Sequence, residues 1–533
     1  MKSKYFLLLL ALGMVSMPMA AQETYQDTKL MENELNGTAR YVGMGGAMEA
    51  LGADLSTMQS NPAGIGLFRK SQLAISGGLI SQSGDNSKKN WGLNFKGDAT
   101  NASFDQAGFV WANRTGRNSW LNVGFNFHKS RNFDQILSTA NKLNNASLNK
   151  NTAAKYVNGL SDKNSIAWNA VDDAYAHFLV GNDGKMQYYN ATSFLFGQYQ
   201  KGYIGEYDFN ISGNINNRVF LGATFGLHDV NYRSNKIYTE DDATGALSDN
   251  YEMLKIDGTG FDIKFGAIFR PVEDSPFRIG LYVNTPVFYD LTMRNAYDLT
   301  WYPAANPNNN SDKGNMFNGN MSDYDFKVYT PWKFGVSLGH TIGDYLAMGL
   351  TYEYQKYGAI DNRINDGDSY YDYWTDSYYS DSNSDEAMNK DTELNLKSVH
   401  LLKVGLEYKP VQNFAIRLGY NYMSPQFNDN AYRDATLQSP GVGYATSADY
   451  TNWKATNRFT FGLGYSYGNF FADVAYQFSK TNGEFYPFMS YYQNPEDLLF
   501  QSRDYLSTDD NVADATKVSF NRHQLLFTLG YRF

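Results

Sequence analysis

Most of the chain consists of segments in which apolar and polar residues alternate with a period of two. In the last of these segments one alternate set is wholly apolar: Leu525, Phe527, Leu529, Tyr531 and Phe533. The positions between them are mostly small or polar. Successive side chains of a β-strand point to opposite faces, so this alternation predicts a strand with one apolar face. Because the same split recurs from Ser71 to the C-terminus, the sequence predicts an all-β protein.

The alternation defines about fourteen strand cores, an even number. They are Gln72–Ile80, Asp105–Ala112, Trp120–Lys129, Gly205–Gly213, Val219–Tyr232, Gly260–Arg270, Phe277–Phe288, Phe326–Thr341, Tyr345–Tyr357, Ser398–Lys409, Phe414–Met423, Asn457–Tyr467, Phe470–Ser479 and Arg522–Phe533. Most of them reach the length of about 10 residues that a tilted strand needs to cross a bilayer.

The connections between these cores alternate in length. Links of a few residues, such as Ile342–Asp344 and Gly468–Asn469, alternate with long polar links, such as Ser130–Ile204. Short turns at one end and long loops at the other are typical of outer-membrane barrels. A soluble β-sandwich also alternates in polarity, but nothing in that fold sorts its loops by length. We therefore predict a transmembrane antiparallel β-barrel over residues 71–533.

Residues 1–21 have the three parts of an export signal. Lys2 and Lys4 form the positive start, Tyr5–Val15 is the apolar stretch, and Met19–Ala21 offers a small-residue cleavage site. The apolar stretch is too short for a spanning helix. We expect this segment to direct export, and we expect residues 22–70 to form a polar periplasmic lead-in, Gln22–Asn36, followed by a lumenal segment.

The stretch Gly37–Phe68 is rich in small residues and lacks strand periodicity. Its glycines permit close approach of another backbone, and Ala47–Leu51 predicts a short helical turn. Asp54 is a plausible N-cap for a second turn over Leu55–Ser60, which ends where Asn61 precedes a proline. This composition predicts a compact plug, although a helix stop followed by a loop explains the same turn residues.

An ordered set of short pieces in this stretch resembles the N-terminal hatch of the FadL/TodX family of outer-membrane long-chain fatty acid and hydrocarbon transporters. The pieces are Ala39-Arg40, Met44-Gly45-Gly46-Ala47, Ala53-Asp54 and Asn61-Pro62-Ala63-Gly64. The resemblance covers about thirty residues, and elsewhere it is one of architecture only. It implies a 14-strand barrel with a hatch in its lumen. It also implies a hatch or gating role for Gly45, Gly46, Asn61, Pro62, Ala63 and Gly64.

Composition narrows the functional classes. Aromatic residues make up 16% of the chain, which suits the aromatic girdles of a membrane barrel. The formal net charge of −10 argues against a nucleic-acid partner, which requires a basic face. None of the six His residues has a paired metal-binding spacing, and no nucleophile elbow is present. We expect no catalytic residues, no metal and no cofactor. The alternative is a Ser–His hydrolase site on the barrel wall, for which His128 and Ser130 are the candidates.

If the apolar sets face lipid, several charged side chains face the lumen. They include Lys403, Glu407, Arg417 and Asp473, with Lys264, Arg270, Arg278 and Arg532. Two roles are open for them. In the first role they pair with one another and with hatch residues such as Arg40, Glu49 and Asp54, because a buried unpaired charge is costly. Alternatively, their cations hold a ligand carboxylate.

Two long links carry further patterns. Phe133–Leu148 and Asn164–His177 show partial helical periodicity and predict helices. Asp361–Asp391 is strongly acidic, which fits a solvated loop better than a calcium site, because it lacks the ordered spacing of a calcium loop.

The function expected from these features is passive uptake of hydrophobic small molecules, such as long-chain fatty acids, across the outer membrane of a Gram-negative bacterium. The expected partners are such a ligand, outer-membrane lipids and lipopolysaccharide, and the barrel-assembly machinery, whose terminal signal the closing Phe533 resembles. The alternative is a barrel of the same kind that acts as a surface binding, haemin-receptor or secretion-partner protein without transport.

Overall fold

The computed structural model describes residues 23–32, 34–87, 99–157, 159–160, 167–181, 184, 186–302, 314–373, 377–492 and 510–533. The export signal predicted at residues 1–21 lies outside them. The helices are α1 (Thr24–Met31), α2 (Ala39–Gly43), α3 (Leu148–Val157), α4 (Ala170–Leu179), α5 (Glu386–Asn395) and α6 (Pro440–Tyr444). Short 3-10 turns cover Leu55–Gln59, Pro62–Leu67, Asp85–Ser87 and Tyr357–Ala359. Within the described ranges, no helix combines the length and the apolarity that crossing a membrane requires.

The rest of the described chain is mostly strand. The segments are β1 (Gln72–Ser83), β2 (Thr100–Arg114), β3 (Trp120–Asn132), β4 (Gln135–Lys142), β5 (Ser193–Ile215), β6 (Val219–Asp242), β7 (Gly245–Phe269), β8 (Arg278–Asn284), β9 (Phe288–Trp301), β10 (Gly314–Tyr329), β11 (Lys333–Ile342), β12 (Leu346–Lys356), β13 (Asp361–Asp372), β14 (Ser377–Ser384), β15 (Ser398–Val411), β16 (Phe414–Met423), β17 (Tyr450–Tyr467), β18 (Phe470–Tyr486) and β19 (Thr516–Arg532).

These segments form one closed antiparallel barrel. The sheet closes because β1 pairs with β2 on one side and with β19 on the other, where Gln72 lies opposite Arg532. Five pairs of consecutive segments, β3/β4, β8/β9, β10/β11, β12/β13 and β14/β15, each form one interrupted barrel strand, since both members pair with the same neighbouring strands. The barrel therefore has fourteen strands, as the sequence predicts.

Proline explains two of these interruptions. Pro286 separates β8 from β9, and Pro331 separates β10 from β11. Because proline has no backbone N–H, it cannot donate to the ladder and is excluded from continuous central strands. The two breaks lie side by side, since β8 pairs with β11 and β9 pairs with β10.

The apolar side chains of the alternating pattern face outward. In β19, Phe527 and Leu529 are 51% and 61% exposed, whereas Leu526 and Thr528 between them are buried. Exposed aromatic residues, including Trp111, Tyr467 and Phe533, lie near the short turns and form a girdle at that rim. In water such a surface would aggregate, whereas in a bilayer it meets acyl chains. The chain is a transmembrane barrel of the outer membrane.

The extracellular hairpins extend the sheet well beyond the bilayer. Strands β5, β6 and β7 have 23, 24 and 25 residues, more than twice the length of about 10 residues that a crossing needs. The helix predicted over Phe133–Leu148 is therefore wrong for most of its length. Residues Gln135–Lys142 form β4 and pair with the overhanging part of β5. The second predicted helix corresponds to α4.

The acidic link also has regular structure. Its residues form the hairpin β13–β14 and helix α5. Asp361 lies 2.7 Å from the guanidinium of Arg363, and Asp385 caps α5 by accepting a hydrogen bond from the Met388 amide. Asp361 and Asp385 of this link therefore have partners within the protein.

The N-terminal lead-in is not periplasmic in the structure. Helix α1 lies inside the barrel, on the extracellular side of the hatch, and seven of its eight residues are buried. Its Thr24 hydroxyl donates to Asp391 of α5 at 2.8 Å, and the Tyr25 ring stacks on Phe427 at 4.8 Å. The polar composition of this segment reflects a polar lumen rather than solvent.

We predict that Leu350→Arg destabilises the barrel by about 2–4 kcal/mol, because Leu350 faces lipid five residues above a periplasmic turn, near the midplane. The matched control is Tyr345→Arg at the rim, for which the cost falls to about 0–1 kcal/mol. Urea unfolding in lipid vesicles measures both. Equal losses at the two sites would contradict the assignment of Leu350 to the lipid face.

Candidate functional site: the hatch and the lumen

The hatch, Gly37–Phe68, is a chain of short capped turns. Thr38 caps α2 by accepting from the Tyr41 amide, and Asp54 caps the turn Leu55–Gln59 by accepting from the Ser56 amide. The cap predicted for Asp54 is thus confirmed. At Ala47–Leu51 the structure has a single turn rather than a helix, closed by a hydrogen bond of 2.7 Å from the Gly52 amide to the Met48 carbonyl. A helix that the sequence does not predict lies earlier, at α2.

Glycines of the barrel wall allow the hatch backbone to lie directly on the sheet. Four of them, Gly339, Gly349, Gly405 and Gly419, form a continuous row across β11, β12, β15 and β16, where each is paired with the next. A Cβ placed at Gly349 would be 1.9 Å from the Ala47 carbonyl oxygen. A Cβ placed at Gly419 would be 2.1 Å from the Gly45 nitrogen. We call this row the glycine row.

The two hatch glycines predicted to matter adjoin this row. Gly45 and Gly46 have φ values of +62° and +80°, in the left-handed region that favours glycine. The Gly45 carbonyl accepts a hydrogen bond from the Asn421 side-chain amide at 3.2 Å. Conformation and space both require glycine at Gly45, because its Cβ would lie 2.9 Å from the Tyr420 nitrogen.

The Asn61-Pro62-Ala63-Gly64 segment contacts the adjoining part of the wall, on β5 to β8, where β8 pairs with β11 of the glycine row. The Asn61 side-chain amide donates to the Glu49 carbonyl at 3.0 Å, and its oxygen accepts from the Ala63 amide at 3.2 Å. The Pro62 carbonyl accepts from the Ser212 hydroxyl of the wall at 2.8 Å. Asn61 and Ala63 have no solvent exposure, so this segment is packed between the rest of the hatch and the wall.

The four predicted lumen charges face inward and are paired. Lys403 contacts Glu49 of the hatch at 2.7 Å and also contacts Glu353 of the wall. Arg417 contacts Glu407 and Asp473, each at 2.6 Å. Arg40 of the hatch completes this network by contacting Glu407 at 3.0 Å.

Of the two roles open from the sequence, mutual pairing is the one these contacts represent. Breaking a buried pair by removing one partner costs about 3–5 kcal/mol. Arg278 similarly donates to the Leu51 carbonyl of the hatch at 2.8 Å, and Arg532 donates to Gln72 at 3.2 Å. The lumen charges at this level therefore fasten the hatch to the wall.

The lumen beyond the hatch is occupied by the N-terminal segment. Three of its carboxylates meet wall or loop arginines: Glu23 lies 2.9 Å from Arg433, Glu32 lies 2.6 Å from Arg131, and Glu34 lies 2.6 Å from Arg522. Its Leu30 and Met31 pack in an apolar cluster with inward residues of β6 to β10, among them Tyr232, Ile256 and Met293. Cavities of about 80 and 120 Å³ flank the segment.

Burial shifts the titration of groups around α1. It raises the pKa of Asp391 to about 7, even though Thr24 and Asn395 donate hydrogen bonds to this carboxylate. Burial also raises the pKa of Asp27 well above its usual value, and it lowers the pKa of Lys29 to about 8. In each case the neutral form is favoured because desolvation penalises the charge.

His128 and Ser130, the His and Ser that lie close together in the sequence, have separate partners in the structure. The Ser130 hydroxyl donates to the Ile204 carbonyl at 3.3 Å. His128 instead faces the carboxylates of Glu206 and Asp208 on the neighbouring strand. No spacing along the sequence indicates that His128, Glu206 and Asp208 meet, because His128 lies on a different strand from the two carboxylates and the sheet register brings them together.

The fold and the lumen together define an outer-membrane β-barrel closed by an N-terminal hatch. Similar solved structures include the toluene transporter TbuX of Ralstonia pickettii (12% identity, TM-score 0.48) and a FadL homologue of Pseudomonas aeruginosa (12%, 0.47). A third is the toluene transporter TodX of Pseudomonas putida (10%, 0.45). Each match covers 94% of this chain and 99% of the other.

These structures are of the class that the hatch segment resembles. The sequence matches no protein-family model and no curated protein. The barrel assignment itself stands on the strand register and the outward apolar surface described above.

We predict that Gly349→Ala loosens the hatch and lowers barrel stability by about 1–3 kcal/mol, because the new methyl group meets a hatch carbonyl rather than a movable side chain. The control is Gly213→Ala, whose Cβ would meet nothing within 4 Å. Urea midpoints and single-channel conductance in planar bilayers measure the two effects. If both variants behave alike, the hatch does not depend on the glycine row.

We predict that docking of α1 against α5 weakens as pH rises from about 4 to 7. Asp391 is protonated when docked below pH about 7 but ionises at lower pH once exposed, so it lowers the docking equilibrium constant by up to about tenfold per pH unit in this window. Asp27 of α1, whose pKa burial also raises, acts in the same direction. Hydrogen exchange of the α1 amides at pH 4.5 and 7.5 measures this. Asp391→Asn should reduce the response and leave the part that Asp27 contributes, whereas Asp429→Asn on the exposed surface should leave it unchanged.

Proposed function

We propose that this barrel takes up hydrophobic small molecules across the outer membrane, and that its preferred ligands are anionic amphiphiles such as long-chain fatty acids. The observation that carries the proposal is the set of contacts that the N-terminal segment makes inside the lumen. It places acidic groups on arginines and an apolar stretch in an apolar cluster, within one lumen. A fatty acid presents the same two chemistries, a carboxylate and a hydrocarbon chain.

The arginines support the anionic part of the proposal. Arg131, Arg433 and Arg522 each contact a glutamate of the N-terminal segment, which is not part of the barrel wall. When that segment withdraws, the guanidinium groups lose these partners. Guanidinium binds carboxylate through charge-assisted hydrogen bonds, so a ligand carboxylate is a fitting replacement.

The apolar cluster supports the hydrophobic part. Side chains that face the lumen in β6 to β10 include Leu254, Ile256, Leu291 and Phe326, all less than 5% exposed. A water-filled porin lumen is polar at this depth. Nearer the loops, α4 contributes Tyr175 and Phe178 to a second buried apolar cluster around Trp301.

In the proposed route, the ligand enters among the loops, displaces the N-terminal segment and leaves past the hatch when the Asn61-Pro62-Ala63 segment shifts. Gly45, Gly46 and Gly64 belong to the same hatch and are proposed to take part in this movement. The ligand's own concentration gradient supplies the driving force. This gating role is a proposal that rests on where the residues lie, between Glu49 and the wall of β5 to β8.

One observation favours the second candidate, a surface binding or secretion-partner barrel without transport. The cavities beside α1 are about 80 and 120 Å³, smaller than the 300–1,000 Å³ typical of ligand sites. Transport therefore requires the N-terminal segment to move, whereas the function of a surface binding protein does not require this movement.

The test is uptake of a labelled long-chain fatty acid and of the fatty alcohol of equal length by cells with and without the protein. We expect the protein to increase both. Arg131→Gln and Arg433→Gln should reduce uptake of the acid about tenfold or more and that of the alcohol little, since each variant loses one charge-assisted contact.

The control is Arg294→Gln, which removes an exposed guanidinium paired with Asp323 outside the lumen and should change neither rate. Heat-modifiable migration on gels verifies that each variant is folded. No difference between cells with and without the protein, for either compound, would exclude transport and favour the second candidate. An equal loss for acid and alcohol would exclude the carboxylate role of the arginines.

A further inference from the structure

Six buried ionisable side chains converge on the barrel wall beside the hatch. They are His128 of β3, Glu206 and Asp208 of β5, His228 of β6, and Asp262 and Lys264 of β7. The register brings them together, because His128 lies directly opposite Glu206, which lies directly opposite His228. Gly226 leaves the space in which they meet, since a Cβ there would be 2.3 Å from the Asp262 carboxylate.

The lysine binds one side of this cluster and leaves the other side open. Lys264 contacts Glu206 through Oε1 and Asp208 through Oδ1, the latter at 3.1 Å. It also contacts Asp262 Oδ1 at 2.8 Å, the oxygen that faces His228. The second oxygens of the same two carboxylates, Glu206 Oε2 and Asp208 Oδ2, face His128. Asp208 Oδ2 has no hydrogen-bond partner, and the side chain is fully buried.

The histidines are the unexplained part. All four ring nitrogens of His128 and His228 are buried and lack a hydrogen bond. The nitrogens of His128 lie 3.3 Å from Glu206 and 3.4 Å from Asp208, and His228 Nε2 lies 3.4 Å from Asp262. These separations exceed the length of about 2.7–2.9 Å for a charge-assisted hydrogen bond. One imidazole gives one nitrogen to an ion. The separation of either His128 nitrogen from its own carboxylate, Nε2 from Glu206 or Nδ1 from Asp208, matches the spacing of about 3.3–3.5 Å between two ligand atoms of a tetrahedral ion bound at about 2.0–2.1 Å. One ligand atom from each of His128, Glu206 and Asp208 can be chosen so that all three lie within 4.8 Å of one another.

The charges of the cluster leave room for a cation. Three carboxylates and one ammonium leave two net negative charges in a buried site when both imidazoles are neutral, the form in which histidine ligates metals, whereas two imidazolium groups would balance the cluster without an ion. A divalent cation neutralises that excess. Imidazole together with carboxylate suits zinc, whereas calcium and magnesium prefer all-oxygen ligands.

We propose that this cluster binds a divalent transition-metal ion of the zinc type, with His128, Glu206 and Asp208 as its principal ligands. His228 and Asp262, which share Glu206 with them, form the adjoining half of the site. Lys264 holds the outer carboxylate oxygens and fixes their orientation. A cavity of about 120 Å³, lined by Glu206, His228 and Asp262, gives access from the lumen. The site is independent of the proposed transport function.

The test uses the full-length mature protein, folded in detergent, purified without a polyhistidine tag and stripped of metal with a chelator. Titration with ZnCl2 should give one tightly bound zinc per chain and a rise in the unfolding temperature, because the ion binds the folded state. MgCl2 and CaCl2 should not compete. His128→Gln should weaken zinc binding at least tenfold, whereas His400→Gln on the outer surface, where His400 meets Tyr352, should have no effect.

Two results would overturn the site. One is a folded wild-type protein that retains no zinc after desalting. The other is equal zinc binding by His128→Gln and His400→Gln, which places the ion elsewhere. X-ray absorption of the zinc-loaded wild-type protein tests the ligands without any variant. An imidazole contribution with a shell at about 2.0–2.1 Å supports the site, and a shell of oxygen alone excludes it.

Discussion

The structure depends on direct contact between the hatch backbone and the barrel wall. Where two backbones approach this closely, no side chain fits between them, so the wall carries glycines at Gly349, Gly405 and Gly419. Close packing of this kind is sensitive to a single added methyl group. It holds Met44–Ala47 of the hatch against β12, β15 and β16, while Asn61 and Pro62 contact β5 to β8.

Ion pairs add to this contact rather than replace it. Lys403 of the wall pairs with Glu49 of the hatch, and Arg417 of the wall shares Glu407 with Arg40 of the hatch. Above this level the acidic N-terminal segment occupies the centre, and it meets both arginines and an apolar cluster from β6 to β10. The barrel thus has a polar level that fastens the hatch and, above it, a level where paired charges and apolar side chains lie side by side.

The sequence predicted the barrel well because a membrane strand must alternate in polarity whatever its neighbours are. The strand cores, the inward position of Lys403, Glu407, Arg417 and Asp473, and the cap at Asp54 follow from local pattern. The segment Gln135–Lys142 was misassigned as helix because its partner strand β5 lies far away in sequence. The sequence predicts a periplasmic lead-in at Gln22–Asn36 for a related reason, since a polar segment whose charges are paired inside a barrel has the same composition as a solvated one.

Sequence alone determined which face of each strand meets lipid, how many strands there are and that Gly37–Phe68 is not one of them. These follow from side-chain alternation and turn chemistry, which act over a few residues. Tertiary structure decided which residues meet inside the barrel. Register across the sheet placed His128 opposite Glu206 and brought Glu23 of the N-terminal segment to Arg433. Such contacts depend on closure of the whole sheet, and no local pattern encodes them.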